Sequence, residues 1–271
     1  MPAALPSPRA AAALVTAGFR RYASYRAATF AGAFTNTVFG VIKVSILFAA
    51  ADAAGGVVAG YDRPSLSTYS WISQGMIAVI VAFAHGDIAE RVRTGDIAID
   101  LGRPVHPVAA WFAEDLGRAG QACLIRFLAP LAVGGMLFGL RVPQHAVTVP
   151  LFLLSALLAV TISFGARLMV NLAAFWIIDV RGLLTLYMVG SNGLSGLIVP
   201  VAFFPGPLKA VAYATPFPWM LQAPVDIAVE RVSGAQAALA LGVQAAWAVA
   251  LLAGAALLLR LGSRRLVVQG G

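Results

Sequence analysis

Charged residues are scarce in this sequence. Only 11% of its 271 residues are Asp, Glu, Lys or Arg, whereas ordinary soluble domains carry about 25%. Hydrophobic residues make up 60%, and the mean hydropathy is +0.86. A soluble fold of this length could not cover its surface with so few polar groups, which excludes that class. The composition predicts an all-α, polytopic membrane protein, because helices satisfy their own backbone hydrogen bonds inside a bilayer.

Cysteine and lysine are nearly absent. Cys123 is the only cysteine, which excludes an intramolecular disulfide and a metal site of several cysteines. Neither Lys43 nor Lys209 follows a glycine, so no G-x-x-x-x-G-K-[ST] loop exists to hold ATP phosphates. The three histidines are far apart, and no HExxH or Ser–His–Asp grouping occurs. We therefore predict that this chain is not an enzyme and has no catalytic residue, metal or cofactor.

Six apolar runs have about the length, 20 residues, that crosses a bilayer. The fourth run is long enough to tilt in the membrane or to extend beyond it. We predict membrane spans at Ala27–Ala50, Leu66–Ala84, Gly120–Leu140, Val147–Ile177, Leu183–Phe203 and Ala235–Leu259.

The basic residues are unevenly distributed between the two sides. With the N-terminus inside, twelve of the 19 fall in inner segments, four in outer segments and three within spans. Cytoplasmic loops carry an excess of Lys and Arg. The distribution therefore predicts that both termini are cytoplasmic. It also accounts for the net charge of +8 without a nucleic-acid partner.

The first 26 residues carry four arginines and no acid. Their short apolar stretch is followed by Arg20 and Arg21, where a cleaved signal peptide would have small residues. We predict an uncleaved amphipathic helix on the inner leaflet over residues 1–26. A six-span domain over 27–259 and a cytoplasmic tail over 260–271 complete the predicted organisation.

The inner segment 85–118 is rich in charges of both signs. It begins as a helix that we expect Gly95 to end. Ile97, Ile99 and Leu101 then alternate with other residues, which predicts a short extended stretch. Beyond a break at Gly102–Pro104, an amphipathic helix is expected to run into the third span. Such a segment suits docking of a cytoplasmic partner.

The outer segment 204–234 combines five prolines with apolar and aromatic residues, among them Phe217 and Trp219. A solvated loop would not carry so many large apolar side chains. We predict short broken helices that dip into the outer leaflet, a geometry that requires surrounding protein to bury the freed backbone groups.

Three ions fall within the predicted spans, where a charge facing lipid is costly. Arg126 and Arg167 lie toward the inner ends and either extend to the surface, line a cavity, or pair with Asp179 or Glu114. Lys43 lies in the outer half of the first span. It either extends outward, pairs with Asp52, or lines a substrate path.

The run from Glu90 to Pro104, ERVRTGDIAIDLGRP, resembles the signature of permeases of the type-2 class of ABC exporters. It is most similar to the six-span subfamily, in which an acid, a basic residue and Gly-Asp precede a Leu-x-Arg-Pro turn. A second matching stretch is Leu194–Asp226, with Ser-Gly-x-x-x-Pro, Phe-Pro and Pro-Phe in order. A third is Phe175-Trp176 before Asp179. Together with the six-span plan, the resemblance covers nearly the whole chain.

The resemblance implies a transmembrane permease subunit of an ATP-driven exporter in a bacterial cytoplasmic membrane. Such permeases have an N-terminal interfacial helix, six spans, a coupling helix after span two and short re-entrant helices before span six. They work as homodimers or heterodimers above a dimer of ATP-binding cassette ATPase subunits, which hold ATP and Mg. The few charges in the spans favour a hydrophobic or amphipathic substrate.

Three groups of functional residues are expected. Contacts with the ATPase would come from Asp87, Glu90, Arg93, Gly95, Asp96, Asp100, Arg103 and Pro104. An outer re-entrant gate would be formed by Pro200, Phe204, Pro205, Pro216, Phe217 and Pro224. Lys43 and Asn192 are candidates for a substrate path.

Two other classes of function are compatible with the pattern. A secondary transporter or channel would share the six spans, although no internal repeat is visible. A membrane-embedded lipid-modifying enzyme would need an acidic cluster to hold a metal. Asp87, Glu90, Asp96 and Asp100 are its candidates, with Arg91 and Arg93 nearby to offset them.

Overall fold

The computed structural model describes residues 4–80, 86–177 and 179–265. The regular elements within these ranges are helices. His85, the end of the predicted second span and the last part of the predicted tail lie outside the described residues. The helices are α1 Pro8–Ala23, α2 Arg26–Ala53, α3 Arg63–Val79, α4 Asp87–Thr94, α5 Ile97–Leu101, α6 Pro107–Ala122, α7 Leu128–Phe138, α8 Thr148–Leu172, α9 Arg181–Leu194, α10 Gly206–Tyr213, α11 Phe217–Met220, α12 Gln222–Ala228 and α13 Gly234–Ser263.

Within the described residues, four helices are long and apolar enough to cross a membrane: Arg26–Ala53, Pro107–Phe138, Thr148–Phe175 and Gly234–Ser263. They confirm a multi-pass, all-helical membrane protein and correspond to the first, third, fourth and sixth predicted spans. The second and fifth predicted spans contain shorter helices, α3 with 17 residues and α9 with 14. A total of six spans therefore stays a prediction.

Helix α3 occupies the centre of the fold. Asp62 caps its N-terminus by accepting a hydrogen bond from the Ser65 amide at 2.9 Å, and the helix is buried from Ser65 to Val79. Its Trp71 ring lies against Gly40 of α2 and Gly134 of α7, where a Cβ on either glycine would overlap the ring. Small residues thus let α2 and α7 approach α3 closely.

The predicted inner and outer segments collect at opposite ends of the molecule. One end, called the α4 end, holds α1, α4 and α5; an ion pair joins Arg21 to Asp87 at 3.8 Å. The other end, called the α12 end, holds the loops before α3, α8 and α13; here Arg141 pairs with Asp62 at 3.5 Å. The two sets of segments thus lie at different ends of the molecule; which end faces the cytoplasm stays a prediction.

Helix α1 packs along α6. Gly18 and Gly117 face the partner backbone so closely that a Cβ on either would overlap it. The N-terminal segment is thus a helix docked on the rest of the protein. Its position on the inner leaflet stays a prediction.

One local prediction is wrong: residues 97–101 are helical, not extended. Gly95 does end α4, as predicted, in a left-handed conformation with φ 84°. The chain then forms the single turn of α5, in which the Ala98 amide donates to Gly95 O at 3.0 Å. No strand lies beside it among the described residues, so the backbone groups are satisfied locally. Beyond it, the predicted helix into the third span is confirmed as Pro107–Phe138.

Candidate functional site

One charged surface at the α4 end is the α4–α5 tip, defined as residues 90–104. Glu90 and Arg93 are each 56% exposed, and Arg93 Nε donates to Glu90 Oε2 at 2.9 Å. This hydrogen bond lowers the pKa of the Glu90 carboxyl, so the pair stays ionised at neutral pH. Asp96 and Arg103 are also exposed. The tip therefore presents charges of both signs to the solvent.

Asp100 lies inside the tip and holds its parts together. Its side chain is only 4% exposed and pairs with Arg91 at 2.7 Å and with Arg103 at 3.6 Å. The Trp111 indole donates to the same carboxylate at 3.3 Å. Asp100 thus links α4, α5 and α6, and of the predicted partner contacts it is the one that the structure buries.

The tip is anchored to the membrane helices beneath it. Ile97 is fully buried in an apolar cluster with Trp111 of α6 and with residues of α8 and α13, including Leu168 and Leu259. On the α4 side, the Ala89 amide donates to Asn171 Oδ1 of α8 at 3.0 Å. A displacement of the tip therefore acts directly on α6 and α8.

Behind the tip lies a buried ion cluster. Asp115 accepts from Arg118 Nε at 2.7 Å and from Arg167 Nη2 at 2.9 Å. Arg118 also donates to Ala78 O at 2.8 Å and Val79 O at 2.9 Å, the last carbonyls of α3. The cluster ties α3, α6 and α8 together and borders a cavity of about 750 Å³ that reaches the tip.

At the α12 end, the predicted gate segment forms three short helices, α10 to α12. The Phe217 ring packs edge-on against Tyr187 of α9 at 5.9 Å. Trp219 packs against Tyr213 at 5.6 Å, and its carbonyl accepts from Gln244 of α13 at 2.7 Å. These aromatic side chains are thus packed against α9 and α13 rather than free in a loop.

The other predicted gate residues differ in burial. Pro200 and Pro224 are buried, Phe204 and Pro216 are half-buried, and Pro205 is exposed. Pro200 follows the end of α9, where the chain from Ser195 to Pro200 is not helical. The segment therefore contains a backbone break inside the protein, which needs hydrogen-bond partners from elsewhere.

Lys43 supplies one hydrogen-bond partner for the backbone of this break. It is buried, and its ammonium donates to Leu197 O at 2.6 Å and to Ser73 Oγ at 2.7 Å. It also lies 5.0 Å from the centre of the Tyr69 ring, a cation–π contact. The predicted pairing of Lys43 with Asp52 is wrong, because Asp52 pairs with Arg63 at 3.2 Å.

Gln222 supplies the second set of partners for the break. Its Oε1 accepts from the Val201 amide at 2.8 Å and lies 2.7 Å from Tyr69 Oη. Its Nε2 donates to Tyr61 Oη at 2.7 Å and to Asp226 Oδ2 at 2.9 Å. The buried polar network around Lys43 and Gln222 thus joins α2, α3, the break and α12.

Comparison with protein families identifies the chain. The model described as ABC-2 family transporter protein matches residues 34–270. The chain belongs to the ABC-2 transporter family. It is therefore a membrane component of an ABC transporter, a permease rather than an enzyme, and family membership implies pairing with an ABC ATPase. No curated protein and no solved structure gives a significant match.

The structure also answers which partners the other charged and polar candidate residues have. Arg167 pairs with Asp115 rather than with Glu114 or Asp179, and Asp179 pairs with Arg181 at 2.5 Å. The acids proposed for a metal-dependent enzyme do not converge, since no group of three potential metal ligands occurs among the described residues. Asn192 has a buried Oδ1 without a hydrogen-bond partner in the described part of the chain.

Sequence reasoning missed the roles of three residues in and beneath the tip. Ile99 is 62% exposed and lies between the charged side chains. The alternation of Ile97 and Ile99 suggested a strand, in which both would face the same side. In the helix that forms instead, the two side chains face different sides. Arg91 and Asn171 act as internal anchors. No sequence signal could have paired Asn171 with Ala89, because 82 residues separate them.

Proposed function

We propose that this chain is the transmembrane permease subunit of an ATP-driven exporter in a bacterial cytoplasmic membrane. Two copies, or this chain and a homologous permease, assemble with a dimer of ATP-binding cassette subunits. The observation that carries the proposal is the anchored, charged α4–α5 tip in a chain of the ABC-2 family. Helices α3 and α9 serve as the shorter second and fifth spans.

The α4–α5 tip is the docking surface for the ATPase in this proposal. Glu90, Arg93, Asp96 and Arg103 supply exposed charges, and Ile99 supplies an apolar anchor between them. Charge complementarity sets register and partner choice, while a desolvated apolar side chain adds affinity. Asp87, Gly95 and Pro104 flank this surface and shape it, and Asp100 positions it from inside.

ATP binding would then act on the spans through two rigid connections. The Asp100–Trp111 contact moves with α6, and the Ala89–Asn171 hydrogen bond moves with α8. The ion cluster at Asp115 passes the motion to α3. Coupling of this kind needs an element with two arrangements, and we place it at the break after α9.

The α12 end faces the outside in this proposal, with α10 to α12 embedded in the outer leaflet. The buried polar network holds the break against α2 and α3, so it keeps the outer gate closed. Two of the three Lys43 donors are engaged by Ser73 and Leu197, and the ammonium also lies over the Tyr69 ring. Its role is therefore to hold the gate, and a cargo that reaches it must displace these bonds. The apolar spans favour a hydrophobic or amphipathic cargo.

Co-purification with the ATPase tests the docking surface. The assay co-expresses this chain with the ABC ATPase subunit of its transporter. Glu90→Ala and Arg103→Ala should lose ATPase binding or uncouple ATP hydrolysis from transport, because truncating one partner of an interface charge pair costs about 2–5 kcal/mol. Arg63→Ala, an exposed ion-paired arginine at the α12 end, is the matched control. Wild-type assembly and export by both tip variants would reject the proposed docking surface.

A further inference from the structure

Arg126 is a charge within a candidate membrane-spanning helix that has no ion-pair partner among the described residues. It belongs to the π-helical turn Cys123–Phe127 inside the span Pro107–Phe138. Its Nε is buried and has no hydrogen-bond partner among the described residues, and none of their carboxylates forms an ion pair with it. By contrast, Arg167 shares Asp115 with Arg118.

The position of the guanidinium is fixed by Gly32 of α2. A Cβ on Gly32 would lie 2.7 Å from both Arg126 Nε and Nη2, so the side chain lies across α2 and uses the space that the glycine leaves. Gly32 is six residues into α2, or about 9 Å at 1.5 Å per residue. The guanidinium is thus held beside α2 at this level of the helix, away from its α4-end terminus.

The groove between α2 and the π-helical turn opens to the outside of the chain. Arg126 is half-buried, and the residues one turn away on the same faces, Ala28 and Thr35 on either side of Gly32 and Ala129 beyond Arg126, are exposed. Basic side chains of α1 and Arg26 lie exposed at the same end. A positive charge in an open apolar groove, below a basic surface, attracts an amphipathic molecule with an anionic head.

We propose that Arg126 binds the phosphate of an anionic phospholipid from the leaflet at the α4 end. A guanidinium offers several N–H donors in one plane, which suit the oxygens of a phosphate. The exposed alanines Ala28 and Ala129 leave an apolar surface beside it for the acyl chains. A lone arginine at this depth is costly, and local thinning of the leaflet brings phosphate to it. The π-helical turn, a feature often found at functional sites, lets Phe127 face the core at Gly75 while its neighbour Arg126 faces α2.

The experiment compares retention of two lipids by the full-length chain. The protein is equilibrated with equal amounts of phosphatidylglycerol and phosphatidylcholine in detergent, and the retained lipids are quantified by mass spectrometry. The wild type should retain phosphatidylglycerol preferentially. Arg126→Gln should lower that preference by about tenfold, the effect of a hydrogen bond to a charged group. Soluble glycerol phosphate should not compete, because it lacks the chains; full competition would assign the site to free phosphate instead.

Two variants keep the test decisive if Arg126→Gln folds poorly. Gly32→Ala displaces the guanidinium without changing the charge and should also lower the lipid preference, whereas Arg126→Lys should retain part of it. Arg26→Gln removes an exposed charge at the same end and should keep the wild-type ratio. An unchanged ratio in Arg126→Gln and Gly32→Ala would overturn the lipid site. If those variants instead lost self-association, Arg126 would belong to an interface between copies. Neither readout involves ATP, so failure here leaves the proposed function untouched.

Discussion

Replacing Asp100 with asparagine should loosen the α4–α5 tip while the membrane helices stay folded. The change keeps the shape and removes the charge that pairs with Arg91 and Arg103. Breaking a buried ion pair costs about 3–5 kcal/mol. Here Arg91 is 36% exposed and Arg103 is 54% exposed, so water compensates for part of the loss. We expect a local destabilisation of about 2 kcal/mol.

Hydrogen exchange measures this effect directly. A loss of about 2 kcal/mol raises the opening equilibrium, and therefore the exchange rate, by about thirtyfold. The increase should appear over residues 97–107 and be absent from α8 and α13. Asp96→Asn is the matched control, because Asp96 is exposed and its bond to Thr94 is local. Equal exchange in Asp100→Asn and wild type would refute the role of Asp100 as the internal anchor.

Three further predictions test other parts of the structure. Gly134→Ala should lower the free energy of unfolding, measured by thermal denaturation, by about 1–3 kcal/mol, because the methyl group overlaps Trp71. Gly182→Ala is the control: no atom lies within 4 Å of its added Cβ, so it should be nearly neutral in that assay. A hydrogen bond from Thr148 lowers the pKa of Glu230 from 4.5 to about 2. The stability that the ionised Glu230 contributes is therefore present above pH 4.5 and is lost as the pH falls toward 2. Glu230→Gln should flatten the pH dependence of the melting temperature. Cysteines placed in 204–234 of a cysteine-free chain should react with an impermeant reagent from outside, and labelling only from the cytoplasm would reverse the proposed orientation.

Sequence reasoning succeeded where one local signal decides the structure. Long apolar runs identified four helices that can cross a membrane. Gly95 marked the end of α4, because a left-handed residue there is easiest for glycine. The short stretch 97–101 was misread, since alternation over five residues fits a strand as well as a buried helical turn.

The partners of buried charges could not be found in the sequence. Nearby acids were the natural candidates for Lys43 and Arg167, yet Lys43 bonds to a carbonyl 154 residues away and Arg167 to Asp115 of α6. Such pairings depend on how helices cross, and helix crossings are set by small residues such as Gly40 and Gly134. The charges of the candidate docking surface, in contrast, lie close together in the chain and therefore also at the α4 end; that this surface binds the ATPase stays a prediction.

The Trp71 contacts have a mechanical consequence. The Trp71 ring occupies the space left by Gly40 of α2 and Gly134 of α7, and Asn36 of α2 donates to Gln74 O of α3 at 3.2 Å. The helices α2, α3 and α7 therefore cannot slide past one another without displacing the indole. They must travel as one rigid block. Any opening of the protein must then move this block relative to the later helices or bend the chain among them, and the non-helical stretch from Ser195 to Pro200, after α9, is a place where the chain can bend.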